Sequence, residues 1–204
     1  MRLLRFALAL LALHLALTIT ISAQTSPHST FVSSGGDDGN VCSATAPCRT
    51  LQAGINAVAA GGVVYVMNPG VYGTSTLSIN KSATIEASAG VTALLTITSG
   101  HGVDIEAGTT DVIGLRGLTI TYQGAPVGNY QGILFNSGSN LTVEDCVING
   151  FPANGIALNC SGHALVRNTS VRNNLANGIQ VYGPSGFASI EKVSLRANAG
   201  GIYA

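Results

Sequence analysis

The stretch Leu141-Thr142-Val143-Glu144-Asp145-Cys146-Val147-Ile148-Asn149-Gly150, followed by Asn154-Gly155-Ile156, decides the fold. Leu141, Val143, Cys146 and Ile148 alternate with polar neighbours over two short runs, as half-buried strands do. The pattern occurs earlier as Ile113, Leu115, Leu118 and Ile120, and again as Ala164, Val166, Thr169 and Val171, then as Ala188, Ile190, Val193 and Leu195. A polar bend and a Gly-Ile pair follow each copy: Gly132-Ile133, Gly155-Ile156, Gly178-Ile179 and Gly201-Ile202, each 23 residues after the last. In this reading the glycine turns the chain and the isoleucine enters the core. A fixed period of this length means that each unit buries its apolar face only by stacking on a neighbour. The expected fold class is all-β, a parallel β-helix (solenoid). An earlier copy reads Gly102-Val103-Asp104-Ile105, and the 30-residue gap from Gly102 to Gly132 places a longer loop at Thr121 to Tyr130.

Outside the repeats, the chain opens with Arg2 and Arg5, an apolar run from Phe6 to Leu17, and small residues at Ile21-Ser22-Ala23. That is the build of a secretory signal peptide over 1–23. Thr18, Thr20 and Ser22 end the run short of the ~20 residues a membrane span needs. Residues 24–62 read as an N-terminal loop and capping helix, and 63–204 as β-helix coils. The helix is expected over Arg49 to Ala60, with Leu51, Ile55 and Val58 on one face, Thr50 as N-cap and Gly61-Gly62 as the stop. It would cover the open end of the solenoid. Beyond the signal peptide, seven basic side chains (nine minus Arg2 and Arg5) face nine acidic ones, which excludes a nucleic-acid partner held by basic excess. Export implies an oxidising compartment, which suits a Cys42–Cys48 disulfide across a short loop. Cys146 and Cys160 are either buried thiols or a second bridge. The expected location is secreted, periplasmic or on the outer cell surface, with no membrane contact after signal cleavage.

The repeat also resembles a known family. Leu141 to Gly150 with Asn154-Gly155-Ile156 looks like the right-handed parallel β-helix repeat of the pectate-lyase-like superfamily. Phe31 to Asn40, Ala46 to Ile55 and Asn68-Pro69-Gly70-Val71-Tyr72 resemble the start of exported bacterial members. The resemblance covers residues 31–204 and implies right-handed coiling. It implies no single activity, because the family mixes lyases, hydrolases and binding proteins.

Function must then lie on outward columns. Arg116, Glu144, Arg167 and Glu191 alternate in sign at one position of successive coils, with Glu86 extending the column. That alternation is what a cross-strand ion-pair ladder requires, whereas a catalytic site needs only one place. A second column holds Glu106, Asn136, Asn159 and Tyr182; beside it run Asp104, Leu134, Ala157 and Gln180, with Tyr203 aligned to Gln180. These side chains are either an ordinary solvated strand face or a row that binds hydroxyl-rich polymers by hydrogen bonding and ring stacking. The carbohydrate-binding candidates are therefore Asp104, Glu106, Asn136, Asn159, Gln180 and Tyr182. Asn149, Asn173, Asn174 and Asn198 at the bends suggest a ladder of amides.

No catalytic or metal-binding residue can be assigned. Five aspartates (Asp37, Asp38, Asp104, Asp111 and Asp145) fall at different points of their coils, and no three converge as calcium would demand. Asp104 and Asp111 with His101 is the nearest approach to a hydrolase set. The function expected is an exported, non-catalytic β-helix that binds polysaccharide or forms part of the envelope surface, without cofactor. The alternative is a polysaccharide lyase or glycoside hydrolase with its site in loops or missing coils, calcium being needed only by the lyase. The sequence stops two residues after the fourth Gly-Ile pair, so a truncated chain, or end-to-end association through an uncapped C-terminal coil, is expected.

Overall fold

The computed structural model describes residues 26–159, 162–183 and 187–204; the expected signal peptide and Cys160 lie outside the described residues. Strand β1 (Ser29–Val32) and helix α1 (Leu51–Ala57) precede six coils of three strands each. The first coil is β2 (Gly62–Val66), β3 (Gly70–Val71) and β4 (Leu77–Ile79); the second is β5 (Ala83–Ala87), β6 (Ala93–Ile97) and β7 (Val103–Glu106). The third is β8 (Val112–Arg116), β9 (Leu118–Tyr122) and β10 (Ile133–Ser137), and the fourth β11 (Asn140–Glu144), β12 (Val147–Asn149) and β13 (Ile156–Leu158). Then come β14 (His163–Arg167), β15 (Ser170–Arg172) and β16 (Asn177–Val181), and last β17 (Phe187–Glu191), β18 (Ser194–Arg196) and β19 (Gly200–Tyr203). Each coil gives one strand to each of three parallel sheets, with β1 added at the edge of the first.

The repeats stack in the register expected from the sequence. Ile133, Ile156, Ile179 and Ile202 pair in one column, preceded by Val103 and Leu77. In the first sheet Ile85, Leu115, Val143, Val166 and Ile190 form another. A fully buried aliphatic side chain in such a column contributes ~1.5–3 kcal/mol. The glycines of the Gly-Ile pairs act differently from the expectation. None of the four has positive φ. Gly132 and Gly155 lie so close to the Ile148 and Val171 side chains, and to the glycine carbonyl of the next coil, that a Cβ has no room. Their role is close approach.

The sharp corner lies elsewhere. Gly117, Asp145, Asn168 and Lys192, each directly after the first strand of its coil, have φ of 71°, 55°, 49° and 52°. One left-handed residue turns the chain from the first sheet to the second, a conformation Gly, Asn and Asp enter at least cost. The next residue points back inside: Cys146 and Thr169 are both 1% exposed. Thr169 is polar, and its hydroxyl donates to Arg167 O (2.8 Å) while accepting from Cys146 N (3.3 Å).

The N-terminal end is covered by α1, shorter than the expected 49–60. Asp38 takes up Arg49 and Thr50: both backbone N–H groups donate to Oδ1 (2.7 and 2.8 Å) and the Thr50 hydroxyl to Oδ2 (2.9 Å). Thr50 is still the N-cap, accepting from Ala53 N at 3.1 Å. At the other end Val58 turns extended (ψ 144°) and buries its side chain completely, while Lys81 Nζ donates to Val58 O (2.6 Å). Leu51, Ile55 and Val58 face the core as expected. The lead-in contains a strand where the sequence suggested only loop. Thr30 of β1 is fully buried, its hydroxyl donating to Gly54 O (3.1 Å). The Cys42–Cys48 disulfide forms, and its two residues bracket β1 by hydrogen bonds to the backbone of Phe31.

Candidate functional site

The third sheet carries the candidate site. Asp104, Leu134, Ala157, Gln180 and Tyr203 pair in one column, as expected. Leu134, Ala157 and Gln180 are nevertheless at most 8% exposed, so this column is a floor and not a solvated face. Amides wall it. At the N-terminal ends of the strands stand Gln131 and Asn154, each immediately before a Gly-Ile pair, with Asn129 beside them. At the C-terminal ends stand Asn159 and Tyr182. Together they line an open cleft of about 380 Å³.

Hydrogen bonds fix most of these amides. Asn154 Nδ2 donates to Gln180 Oε1 (2.5 Å), and Asn154 Oδ1 accepts from Asn177 N (3.0 Å). Gln131 Nε2 donates to Asn129 Oδ1 (3.2 Å), and Gln131 N donates to His101 Nδ1 (3.0 Å). Gln131 is 6% exposed, yet its Oε1 is buried and has no protein partner. A buried acceptor left unpaired costs about 1–3 kcal/mol.

The column expected to join Glu106, Asn136, Asn159 and Tyr182 is broken. A register shift between Phe135 and Ser137 pairs Glu106 with Ser137 and leaves Asn136 as the extra residue of a bulge. Bulges re-aim side chains. Here Asn136 Nδ2 donates to Asp104 Oδ1 (3.3 Å) and Asn159 Nδ2 donates to Asn136 Oδ1 (3.3 Å). Burial raises the Asp104 carboxyl above its ordinary pKa; His101 draws it partly back, and Glu106 adds to the rise. Tyr182 is 64% exposed, with its ring 6.4 Å from that of Tyr203.

A family model described as a right-handed beta helix region matches residues 53–204. The chain belongs to the right-handed β-helix family. Among solved structures it is similar to a rhamnogalacturonan lyase at 13% identity, covering 86% of this chain and 62% of that one, with a TM-score of 0.41. The chain thus spans 62% of the length of that lyase. No curated protein matches it.

On this right-handed β-helix the alternating charges lie in one column of the first sheet: Glu86, Arg116, Glu144, Arg167 and Glu191 are all in register. Glu144 is the centre, bridging Arg116 Nε (3.4 Å) and Arg167 Nη2 (2.5 Å). Hydrogen bonding to Glu144, then its charge, raises the Arg167 pKa. Glu191 instead accepts from the Ser189 hydroxyl (3.2 Å). Toward the N-terminus the column continues as Tyr65 and Phe31, whose rings stack at 5.5 Å.

Asp111 does not join His101 and Asp104. Its Oδ1 accepts from the Ser82 hydroxyl (2.6 Å) and its Oδ2 from Gly108 N (2.7 Å), and the Ser82 bond leads in lowering its pKa. It holds a turn. Among the described residues no three His, Cys, Asp or Glu side chains gather into a metal-binding group. Cys146 is a free, buried thiol whose pKa burial pushes up to about 12. The bend asparagines form two ladders rather than one: Asn173 Nδ2 to Asn149 Oδ1 (2.7 Å) outside, and Asn174 Nδ2 to Asn198 Oδ1 (2.9 Å) inside.

Asn129, Gln131 and Asn154 are the cleft residues that column reading misses. For Gln131 and Asn154 a signal was available: the residue before three of the four Gly-Ile pairs is an amide, at Gln131, Asn154 and Asn177.

Proposed function

We propose that this is an exported β-helix protein that binds extracellular polysaccharide in the third-sheet cleft without cleaving it. The observation that carries the reading is the buried, unpaired Gln131 Oε1 set among hydrogen-bonded amides. Sugar hydroxyls supply the donor it lacks. The exposed ring of Tyr182 offers an apolar face of the kind that stacks on a sugar ring. The disulfide supports an oxidising location, and among the described residues no helix is long and apolar enough to cross a membrane.

Affinity electrophoresis of the full chain through gels containing soluble polysaccharides tests the reading. Retardation by at least one polymer is expected, without new reducing ends or unsaturated product, with or without calcium. Free migration in every gel would sink it. The second reading, a lyase or glycoside hydrolase, rests on the raised Asp104 carboxyl with Glu106 two residues along the same strand. Product formation in the same incubations would favour it.

A further inference from the structure

Resting on the carbohydrate-binding reading, we infer that the cleft takes neutral glycans and turns away uronate-rich ones. The charges of the molecule are segregated by face. Among the described residues the cations are Arg49 at the cap, Lys81 beneath α1, Arg116 and Arg167 in the first sheet, Lys192 at its corner, and Arg172 and Arg196 in the second. The third sheet has none. It carries two acids instead, Asp104 and Glu106.

Hydrogen-bond polarity points the same way. The amide chain donates from Asn159 to Asn136 and from Asn136 to Asp104, so the carboxylate takes up its donors. Asn154 Nδ2 is committed to Gln180, and Gln131 Nε2 to Asn129. The buried side-chain atom that the cleft leaves without a partner is an acceptor, Gln131 Oε1. A hydroxyl can donate to it. A carboxylate only accepts, and would bring its charge to the sheet that carries Asp104 and Glu106, with no arginine or lysine on that sheet to offset it. Specificity then comes from what the cleft repels as well as from what it binds.

The test is the affinity of the full chain, in low salt with EDTA, for neutral polymers (arabinan, galactan, xylan, β-glucan) and for polygalacturonate and alginate. Low salt leaves attraction and repulsion alike unscreened, so the comparison is repeated at physiological salt, where general repulsion of a polyanion is weakened and the selectivity should persist. Retardation by one or more neutral polymers, with roughly ten-fold or weaker affinity for both polyuronates, is expected. Gln131→Leu should weaken neutral binding about ten-fold or more with little change in melting temperature, since losing the Nε2–Asn129 bond is offset by removing an unpaired buried acceptor. Tyr182→Lys, at an exposed margin, should gain retention by polyuronate. Polyuronate binding equal to or tighter than neutral binding overturns the selectivity and leaves the cleft's binding role standing. Binding to no polymer at all overturns that role, and the selectivity with it. Unchanged neutral binding by Gln131→Leu overturns the part assigned to Gln131.

Discussion

Asn174→Ala removes the amide at the centre of the inner ladder. Asn174 is 1% exposed, and its Oδ1 accepts from the backbone N–H of Phe151 (2.9 Å), a residue that is fully buried. Its Nδ2 donates to Asn198 Oδ1, which also accepts from Asn174 N (3.1 Å). Alanine strands the Phe151 N–H in the core at about 1–3 kcal/mol and forfeits the Asn198 bond at about 0.5–1 kcal/mol. The expected loss is about 1.5–4 kcal/mol. In a domain of this size that corresponds to a fall in melting temperature of roughly 3–16 °C. A solenoid couples each coil only to its neighbours, so the damage should be local. Hydrogen exchange should show lost protection in β12, β15 and β18, while β2 to β7 keep theirs. Asn149→Ala, which breaks the exposed Asn173–Asn149 bond, is the control and should cost about 0.5 kcal/mol or less. Equal losses for the two variants, or a uniform loss of protection along the chain, would refute the reasoning.

Three further outcomes follow from particular residues. Ala197 holds φ of 52°, so Ala197→Gly should stabilise the last coil by about 0.5–1 kcal/mol, read by chemical denaturation; destabilisation would contradict the strain. Burial pushes the Asp38 carboxyl up, but hydrogen bonds from Thr50 and Arg49 outweigh it, and its folded pKa is lowered. A lowered acid stabilises above its unfolded pKa of about 3.9 and loses that contribution as pH falls through the folded value, so Asp38→Asn should flatten the acid limb of the stability profile and leave its neutral shape unchanged. Cys146, buried with a pKa of about 12, should resist alkylation in the native protein at pH 8 and react once unfolded, as peptide mass spectrometry would record.

The fold was legible because stacking repeats the same demand at the same position of every coil. Leu141, Val143, Cys146 and Ile148 declare themselves by having counterparts above and below. The ladder of Arg116, Glu144 and Arg167 was visible for the same reason. What repeats imperfectly was harder to read. The bulge at Asn136 inserts one residue and breaks the Glu106 column, and no composition cue marks it. Strand β1 was hidden because Thr30 is polar and its burial depends on a carbonyl of α1. The cleft residues Gln131 and Asn154 sit at the ends of strands, where alternation no longer says which way a side chain faces.

The most direct test of the central claim is a titration of the full chain with an oligosaccharide of the neutral polymer that retards it most, followed through the side-chain amide resonances. Saturable shifts at Gln131, Asn154, Asn159 and Gln180, with Asn149 and Asn173 unmoved, are the predicted result. Shifts confined to another face, such as that around His163 and Phe187 on the first sheet, would contradict it.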